Sequence, residues 1–389
     1  MTPAVSVLCL NAGSSSLKFA LYDAGGDEPL LLFRGAMEDI AGAGRCHGWW
    51  KHSNGSAANE QTIPGDNMND ALSWVFDCLH KASLPLPTLV GHRVVHGGAE
   101  HHHTERLTPA LLESLRALVP LAPLHLPGAL AGIDAVRRQF PEIPQVACFD
   151  TAFHRRMPEI AQRYPLPEAF IDQGIRRYGF HGLSYEYIVS TLGEQIGKRL
   201  VIAHLGNGAS MVACRDGIPL DTSMGMTPTG GLMMGTRTGD LDPGVLIHLM
   251  RQGYDADALE KLLNRQSGLT GVSGRSEDMK TLLTERDSNA DAALAVELYL
   301  YLARKQLGAL AAVLGGLDQL VFTGGIGEHA APIRAGLCTG LEYLGIHLDS
   351  QRNDRHEAVI SADDSLCEVQ VMATDEDLMI ARHAMSFLS

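Results

Sequence analysis

The sequence predicts an α/β architecture built twice, and three observations carry that expectation. Apolar runs of strand length alternate with longer segments of helical periodicity along the chain. A strand, a small-residue turn and a returning strand occur at Val5–Tyr22 and again at Leu200–Cys214, about half the chain apart. In the two turns Asn11-Ala-Gly-Ser matches Asn207-Gly-Ala-Ser, which suggests a duplicated domain whose halves each present a hairpin turn to a shared cleft. A length of 389 residues accommodates two such cores.

The totals exclude several function classes. With 45% hydrophobic and 20% charged residues, the composition is that of an ordinary globular protein. A net charge of −14 argues against general nucleic-acid or anionic-membrane binding, so any anion site must be local. The seven cysteines are scattered and lack CxxC spacing, which fits a reducing cytosol and no structural zinc. The first residues carry no basic n-region and their apolar run is only strand-length. No signal peptide or membrane span is expected, and the expected location is cytoplasmic.

In chain order, the turn at Asn11–Ser16 offers backbone N–H groups and hydroxyls that can cradle phosphate. Residues 41–65, polar and Gly-rich with a Trp pair, read as a variable excursion. Asp70–His80 has helical spacing. Thr88–Val90 is a short strand feeding Gly91–Gly98, where Arg93 sits among glycines. Three consecutive histidines, His101–His103, cannot share one helix or strand face and read as solvated loop residues. Thr108-Pro109 is an N-cap followed by Pro at the first helical position. His125 is held between two prolines, and a helix follows to about Phe140. Asp150 lies at the C-terminal end of a strand over Gln145–Phe149, where α/β sheets collect ligands; an Asp there serves equally as a helix cap. His181 stands between small residues, and Ser184 is expected to cap a helix running to about Gly193.

After the second hairpin, Asp221–Pro243 is too long and too rich in Gly and Thr for a plain connector. It carries a single cation, Arg237, whose planar fork suits phosphate or carboxylate. Leu241–Arg251 and Ala256–Asn264 read as helices, and Gly268–Asp278 as a second Gly/Ser-rich turn region. Ala290–Leu314 is the strongest helical run, stopped by Gly315-Gly316. Leu320–Phe322 is a strand ending in the glycine run Thr323–Glu328, with a helix from near Ala331. A last strand, Val369–Ala373, leads to the carboxylate cluster Thr374–Asp377 and a helix over Leu378–Phe387. That cluster suits both a helix N-terminus and a hard cation. No GxxxxGK[ST] or protein-kinase signature is present. Phosphoryl transfer on another fold still needs phosphate cradles, a carboxylate-held Mg²⁺ and cations for the developing charge. The Gly/Ser-rich turns, Arg93, Arg237, His125, His181, Asp150 and Glu376 supply those types of group.

These motifs resemble the acetate kinase family, within the wider group of sugar kinases, chaperone ATPases and actin. The resemblance runs from Asn11–Lys18 to Thr374–Asp377. Between them come Gly91–Gly98, Ala122–His125, Phe149–His154, Tyr178–Gly182, His204–Ser210, Met234–Arg237 with Gly239–Pro243, and Gly325–Glu328, in the family's order. It implies a duplicated ribonuclease-H-like, actin-like ATPase fold with an interdomain active-site cleft. The implied domains are 1–149 plus 379–389 and 150–378, the second carrying most nucleotide contacts. It also implies a homodimer that uses ATP/ADP and Mg²⁺, with Mn²⁺ as a substitute, to convert a short-chain carboxylate to an acyl phosphate. Matched position by position, Asn11 and Glu376 would serve the metal, and Lys18 would lie near the ATP phosphates. His204, Leu205, Gly206, Asn207 and Gly208 would line those phosphates. Asp278, Met279 and Lys280, with Gly325, Ile326, Gly327, Glu328 and His329, would hold the adenosine. Arg93 would bind the carboxylate or the phosphoryl group in flight, and Asp150 would be the active-site carboxylate. His181 and Arg237 would stabilise the transition state with His125 in support, and Val95, Leu124, Phe180 and Pro228 would form the alkyl pocket. The sequence departs from the family pattern at Leu126, Met226, Gly230, Thr238, Lys280 and His329, none of which is assigned to the chemistry.

A carboxylic acid of pKa ~4–5 is already ionised at neutral pH, so this reaction requires no strong general base. Its difficulty is repulsion between two anions, which arginines, a histidine and Mg²⁺ relieve. A propionate or butyrate kinase is the nearest alternative, because one methylene in an apolar pocket is worth only ~1–3 kcal/mol. A sugar kinase would need polar groups where Val95, Leu124 and Phe180 stand. A non-enzymatic actin-like nucleotide-binding module would not need both arginines and His181.

Overall fold

In the computed structural model, residues 5–13, 16–40, 45–55, 57–65 and 67–388 are described. Residues 1–4 and the turn serines Ser14 and Ser15, part of the expected N-terminus and phosphate cradle, lie outside the described residues. The chain divides into two units, Met1–Ala152 with Asp375–Ser389, and Phe153–Thr374. The two units part at 152/153 and 374/375. Asp150 and Glu376 accordingly belong to the first unit, because Asp150 bonds back to the sheet through its N–H to Val94 O.

The first unit holds β1 (Ser6–Ala12), β2 (Leu17–Asp23), β3 (Leu30–Glu38), β4 (Arg45–His52), β5 (Asn59–Pro64), β6 (Leu89–Val94), β7 (Glu105–Arg106) and β8 (Gln145–Phe149). They form one sheet in the order β5-β4-β3-β2-β1-β6-β8-β7. The second unit holds β9 (Arg199–Leu205), β10 (Ala209–Arg215), β11 (Ile218–Thr222), β12 (Gln319–Thr323) and β13 (Glu368–Val371), ordered β11-β10-β9-β12-β13. In both, an antiparallel meander, of five strands in the first unit and three in the second, is joined at its first strand to two parallel ones: β1, β6 and β8 run parallel, as do β9, β12 and β13. The same topology twice establishes the duplicated ribonuclease-H-like fold.

Period-2 alternation sets the layers of the first unit. Leu8 and Leu10 of β1 face a core shared with Phe19, Phe33, Trp74 and Val75, roofed by the helices Met68–Lys81 and Leu126–Gln139. Phe76 and Phe140 stack there with ring centroids 3.9 Å apart. Cys9 and its cross-strand partner Gly91 face the other way, against the C-terminal helix Glu376–Met385. A Cβ on Gly91 would stand 2.5 Å from Ile380 Cγ2, so only glycine lets that helix lie so close. In the second unit the helix Gly182–Leu192 packs Tyr185, Ile188 and Leu192 onto Leu200, Ile202 and Val212. The helix Ala290–Leu314 ends as expected at Gly315, whose φ of 75° is the left-handed stop.

Three expected loops are ordered elements. Within the excursion 41–65, described from Arg45 and apart from Ser56, the chain forms the antiparallel pair β4–β5. Trp50 joins the core, so alternation outweighed the polar composition. Gly268–Ser273 is a short helix rather than a turn region, and the glycine run at 324–329 is itself the helix Gly324–His329. Ser184 is an internal residue of the helix Gly182–Leu192 and not its cap; His181 holds the cap position.

Candidate functional site

In the first unit the functional candidates gather at the C-terminal ends of β6 and β8. Arg93 is a strand residue of β6, not a loop residue, and its register partner on β8 is Cys148. It therefore points beside Asp150, which follows β8 directly and is fully buried. The two form a fork: Arg93 Nε donates to Oδ1 at 3.0 Å and Nη2 to Oδ2 at 2.5 Å. Arg93 Nη1 donates to Asn11 Oδ1 at 3.2 Å, Arg93 Nε lies 3.4 Å from Glu376 Oε2, and the Asn11 amide reaches that same oxygen at 3.5 Å. Burial and the Glu376 charge hold Asp150 above the usual carboxylate range, against the pull of Arg93. Asp377 is pushed up to about 7 by burial and by Asp375 and Glu376, with Lys18 and Arg93 opposing. Asp375 is the N-cap of the last helix, accepting from Leu378 N at 2.9 Å. Lys18 is exposed and stands opposite Asn11 in the β1–β2 register. His125 holds the N-cap position of the helix Leu126–Gln139, with Leu124 half-buried before it; Val95, just past β6, is buried.

Asn11 and Glu376 offer two oxygen donors, and no group of three metal-ligating side chains occurs among the described residues. Such a sparse, all-oxygen set fits Mg²⁺, which keeps waters and takes substrate phosphates as ligands, rather than a metal that needs a full protein cage.

In the second unit the turn between β9 and β10 is the meeting point. A Cβ on Gly208 would stand 3.6 Å from His181 Nε2 and 3.7 Å from Arg237 Nη1, so both side chains reach the same open side of that turn. His181 occupies the left-handed region at φ 57°, and its Nδ1 lies 2.8 Å from Ser210 Oγ. Its ring stacks on His204 with centroids 4.2 Å apart, and Ser184 Oγ lies 2.9 Å from His204 Nδ1. Buried Met224, Leu232, Met233 and Met234 anchor the long loop that leaves β11. Arg237 Nη1 donates to Pro228 O at 3.1 Å, linking two interior points of that loop, and Gly235 N donates to Asn207 O at 3.0 Å. Arg177 Nη1 holds the start of the loop through the carbonyls of Thr222, Ser223 and Met224. Tyr178 N, two residues before buried Phe180, donates to Gly225 O, and Pro228 is also buried. The helix Gly324–His329 lies against β9, where a Cβ on Gly324 would stand 2.8 Å from Leu205 O. Asp278 caps the helix Met279–Glu285; Asp278 and Lys280 are exposed, and the Met279 side chain is in the core.

Sequence reasoning passed over several residues that hold this arrangement. Arg334 is fully buried and donates to Gly327 O, Glu328 O and Asn353, fixing the glycine-rich helix from behind. An arginine in an otherwise apolar helix stretch was the available signal. Ser210 and Tyr185 behind His181 gave none, because both fit an ordinary strand and helix pattern. His101, expected to be solvated, instead bridges Glu105 and Ser114 at 3.0 and 2.9 Å and stacks near Phe149.

Residues 6–382 match the Acetokinase family. The chain is 46% identical over 393 residues to an acetate kinase from Rhodopseudomonas palustris, covering 97% of each. It superposes with a TM-score of 0.91 on a propionate kinase from Francisella tularensis, at 36% identity and covering 98% of this chain and 99% of that one. For an acetate kinase from Porphyromonas gingivalis the TM-score is 0.86 and the identity 39%, covering 99% and 100%. With its fold, its motifs and almost its whole length accounted for in this way, the chain belongs to the acetokinase family.

Proposed function

We propose that this protein is an acetate kinase, transferring the γ-phosphoryl group of ATP reversibly to acetate to form acetyl phosphate. The observation that carries this reading is the approach of His181 Nε2 and Arg237 Nη1 to one face of the Gly206–Gly208 turn. Two donors beside a glycine turn suit the equatorial oxygens of a phosphoryl group in transit. His204–Gly208 line the phosphates, Asp278–Lys280 and Gly325–His329 hold the adenosine, and Lys18 adds positive charge near the phosphates. Asn11 and Glu376 would hold Mg²⁺, which would screen charge on the ATP phosphates when bound. Arg93 binds the carboxylate through its Nη1 side, which Asp150 does not occupy and which also meets Asn11, and Asp150 orients that fork. Because acetate is already ionised, Asp150 need not remove a proton. The resemblance assigns the apolar contacts of the methyl group to Val95 and Leu124 of the first unit, with His125 in support, and to Phe180 and Pro228 of the second.

The same reading includes a cytoplasmic homodimer. The helix Pro243–Arg251 buries no residue in the isolated chain and exposes Val245, Ile247 and Met250. That exposed apolar face supports a dimer in which a second copy covers it, and sedimentation of the purified chain tests it. No helix among the described residues is long and apolar enough to cross a membrane.

The activity is tested by trapping acyl phosphates with hydroxylamine after incubation with Mg-ATP and acetate, propionate, butyrate or glycerol. The expected result is hydroxamate from acetate above propionate, little from butyrate and none from glycerol. No hydroxamate from any carboxylate would contradict the reading. A propionate product exceeding the acetate product would favour the alternative already raised by the propionate kinase similarity.

A further inference from the structure

A chain of two buried hydroxyls, Tyr185 and Ser210, stands behind His181. Tyr185 and Ser210 are fully buried. Tyr185 OH contacts Ser210 Oγ, and Ser210 Oγ in turn lies 2.8 Å from His181 Nδ1. Among the described residues, the Tyr185 hydroxyl has Ser210 as its one hydrogen-bond partner. Burial raises the Tyr185 pKa far above neutrality, so its hydroxyl keeps its proton. An unused buried O–H donor is costly, which assigns the direction of the chain. Tyr185 donates to Ser210 Oγ, and the Ser210 proton must then point at His181 Nδ1. Nδ1 is left as the acceptor, and the ring proton resides on Nε2. That nitrogen lies on the Gly208 face shared with Arg237 Nη1. His204, stacked on the ring and fixed by Ser184, holds the ring plane.

We propose that Tyr185 and Ser210 are positioning residues for phosphoryl transfer, holding neutral His181 as an Nε2–H donor toward the transferring group. The inference rests on the role given to His181 in the proposed function. Reversing the chain would put the proton on Nδ1, present a lone pair to an anion and strand the Tyr185 proton. Both consequences are unfavourable. The arrangement thus links a fully buried tyrosine to the charge-stabilising group.

The test is ¹⁵N spectroscopy of the histidine rings in the full-length protein, with His181 assigned by the signal lost in His181→Gln, combined with steady-state kinetics. Wild type is expected to show a protonated Nε2 and a bare Nδ1. Tyr185→Phe and Ser210→Ala should give a tautomer mixture. In both, kcat should fall roughly 10- to 100-fold, less than the ~10²–10³ typical for removing such a donor outright. KM values for acetate and ATP should change by less than about twofold, and Ser210→Thr, which keeps the hydroxyl, should recover most of the rate. A wild-type ring protonated on Nδ1, or an unchanged kcat in Tyr185→Phe, would overturn the proposal. If wild type forms no acyl phosphate, the functional reading fails, while the ring spectrum still decides the direction of the hydroxyl chain.

Discussion

Arg93 and Asp150 are locked in a two-pronged ion pair, Nε to Oδ1 at 3.0 Å and Nη2 to Oδ2 at 2.5 Å, with Asp150 fully buried. The pair follows from topology: β6 and β8 are parallel neighbours, and their register sets the arginine beside the residue that leaves β8. Asp150→Asn keeps the shape but loses one acceptor and the charge. We expect kcat/KM for acetate to fall by roughly 10²-fold, a few kcal/mol of charge-assisted bonding. The loss should be equal at pH 6.5 and 8.5, whereas a general-base role would make it depend on pH.

Arg237 is tied back to Pro228 O and reaches the Gly208 face. Arg237→Ala should lower kcat by roughly 10³–10⁵-fold while leaving the thermal midpoint nearly unchanged, on the scale of an arginine finger. Arg237→Lys should recover little, since an ammonium cannot both hold Pro228 O and face the turn. Circular dichroism melts alongside rates check both statements.

The glycine-rich helix Gly324–His329 depends on Arg334, which gives its donors to Gly327 O, Glu328 O and Asn353. Arg334→Met fills the space but strands those acceptors. The expected outcome is destabilisation by about 2–4 kcal/mol in urea melts and a raised KM for ATP with acetate KM unaffected.

How much of this was legible beforehand depended on whether a signal is local. Strand alternation at β1, β2, β9 and β10 and the glycine stop at Gly315 are local, and the sequence shows them directly. The β4–β5 pair was obscured because its strands face solvent on one side and carry Gly and polar residues that mimic a loop. Arg93 stands out as a candidate among its glycines, but its place inside a strand does not. Gly91 looks like a loop signal, although here it admits Ile380. Ser210, Tyr185 and Arg334 act through contacts distant in sequence, which no periodicity encodes.

His92 and His154 are buried and hydrogen-bonded to Gln145 Oε1 and Phe180 O at 2.7 and 2.9 Å, and desolvation lowers each pKa to about 4. Between pH 6.5 and 4 the unfolded chain binds protons that the folded chain refuses. Stability is therefore present in full above pH 6.5 and lost as pH falls toward 4, by at most ~3 kcal/mol per histidine. Asp150 and Asp377, both raised, act in the opposite sense in the same window. The check is accordingly a difference: His92→Gln should lose less stability than wild type between pH 7.5 and 5 in urea titrations.

The central claim is that a carboxylate oxygen of acetate attacks the γ-phosphorus of ATP directly. The most direct measurement is ³¹P NMR of acetyl phosphate formed from ATP and [¹⁸O₂]acetate by the wild-type protein with Mg²⁺. The account predicts one ¹⁸O in the bridge to phosphorus, seen as an upfield isotope shift of the acetyl phosphate signal. Acetyl phosphate with no bridging label, or no acetyl phosphate above the protein-free control, would contradict it.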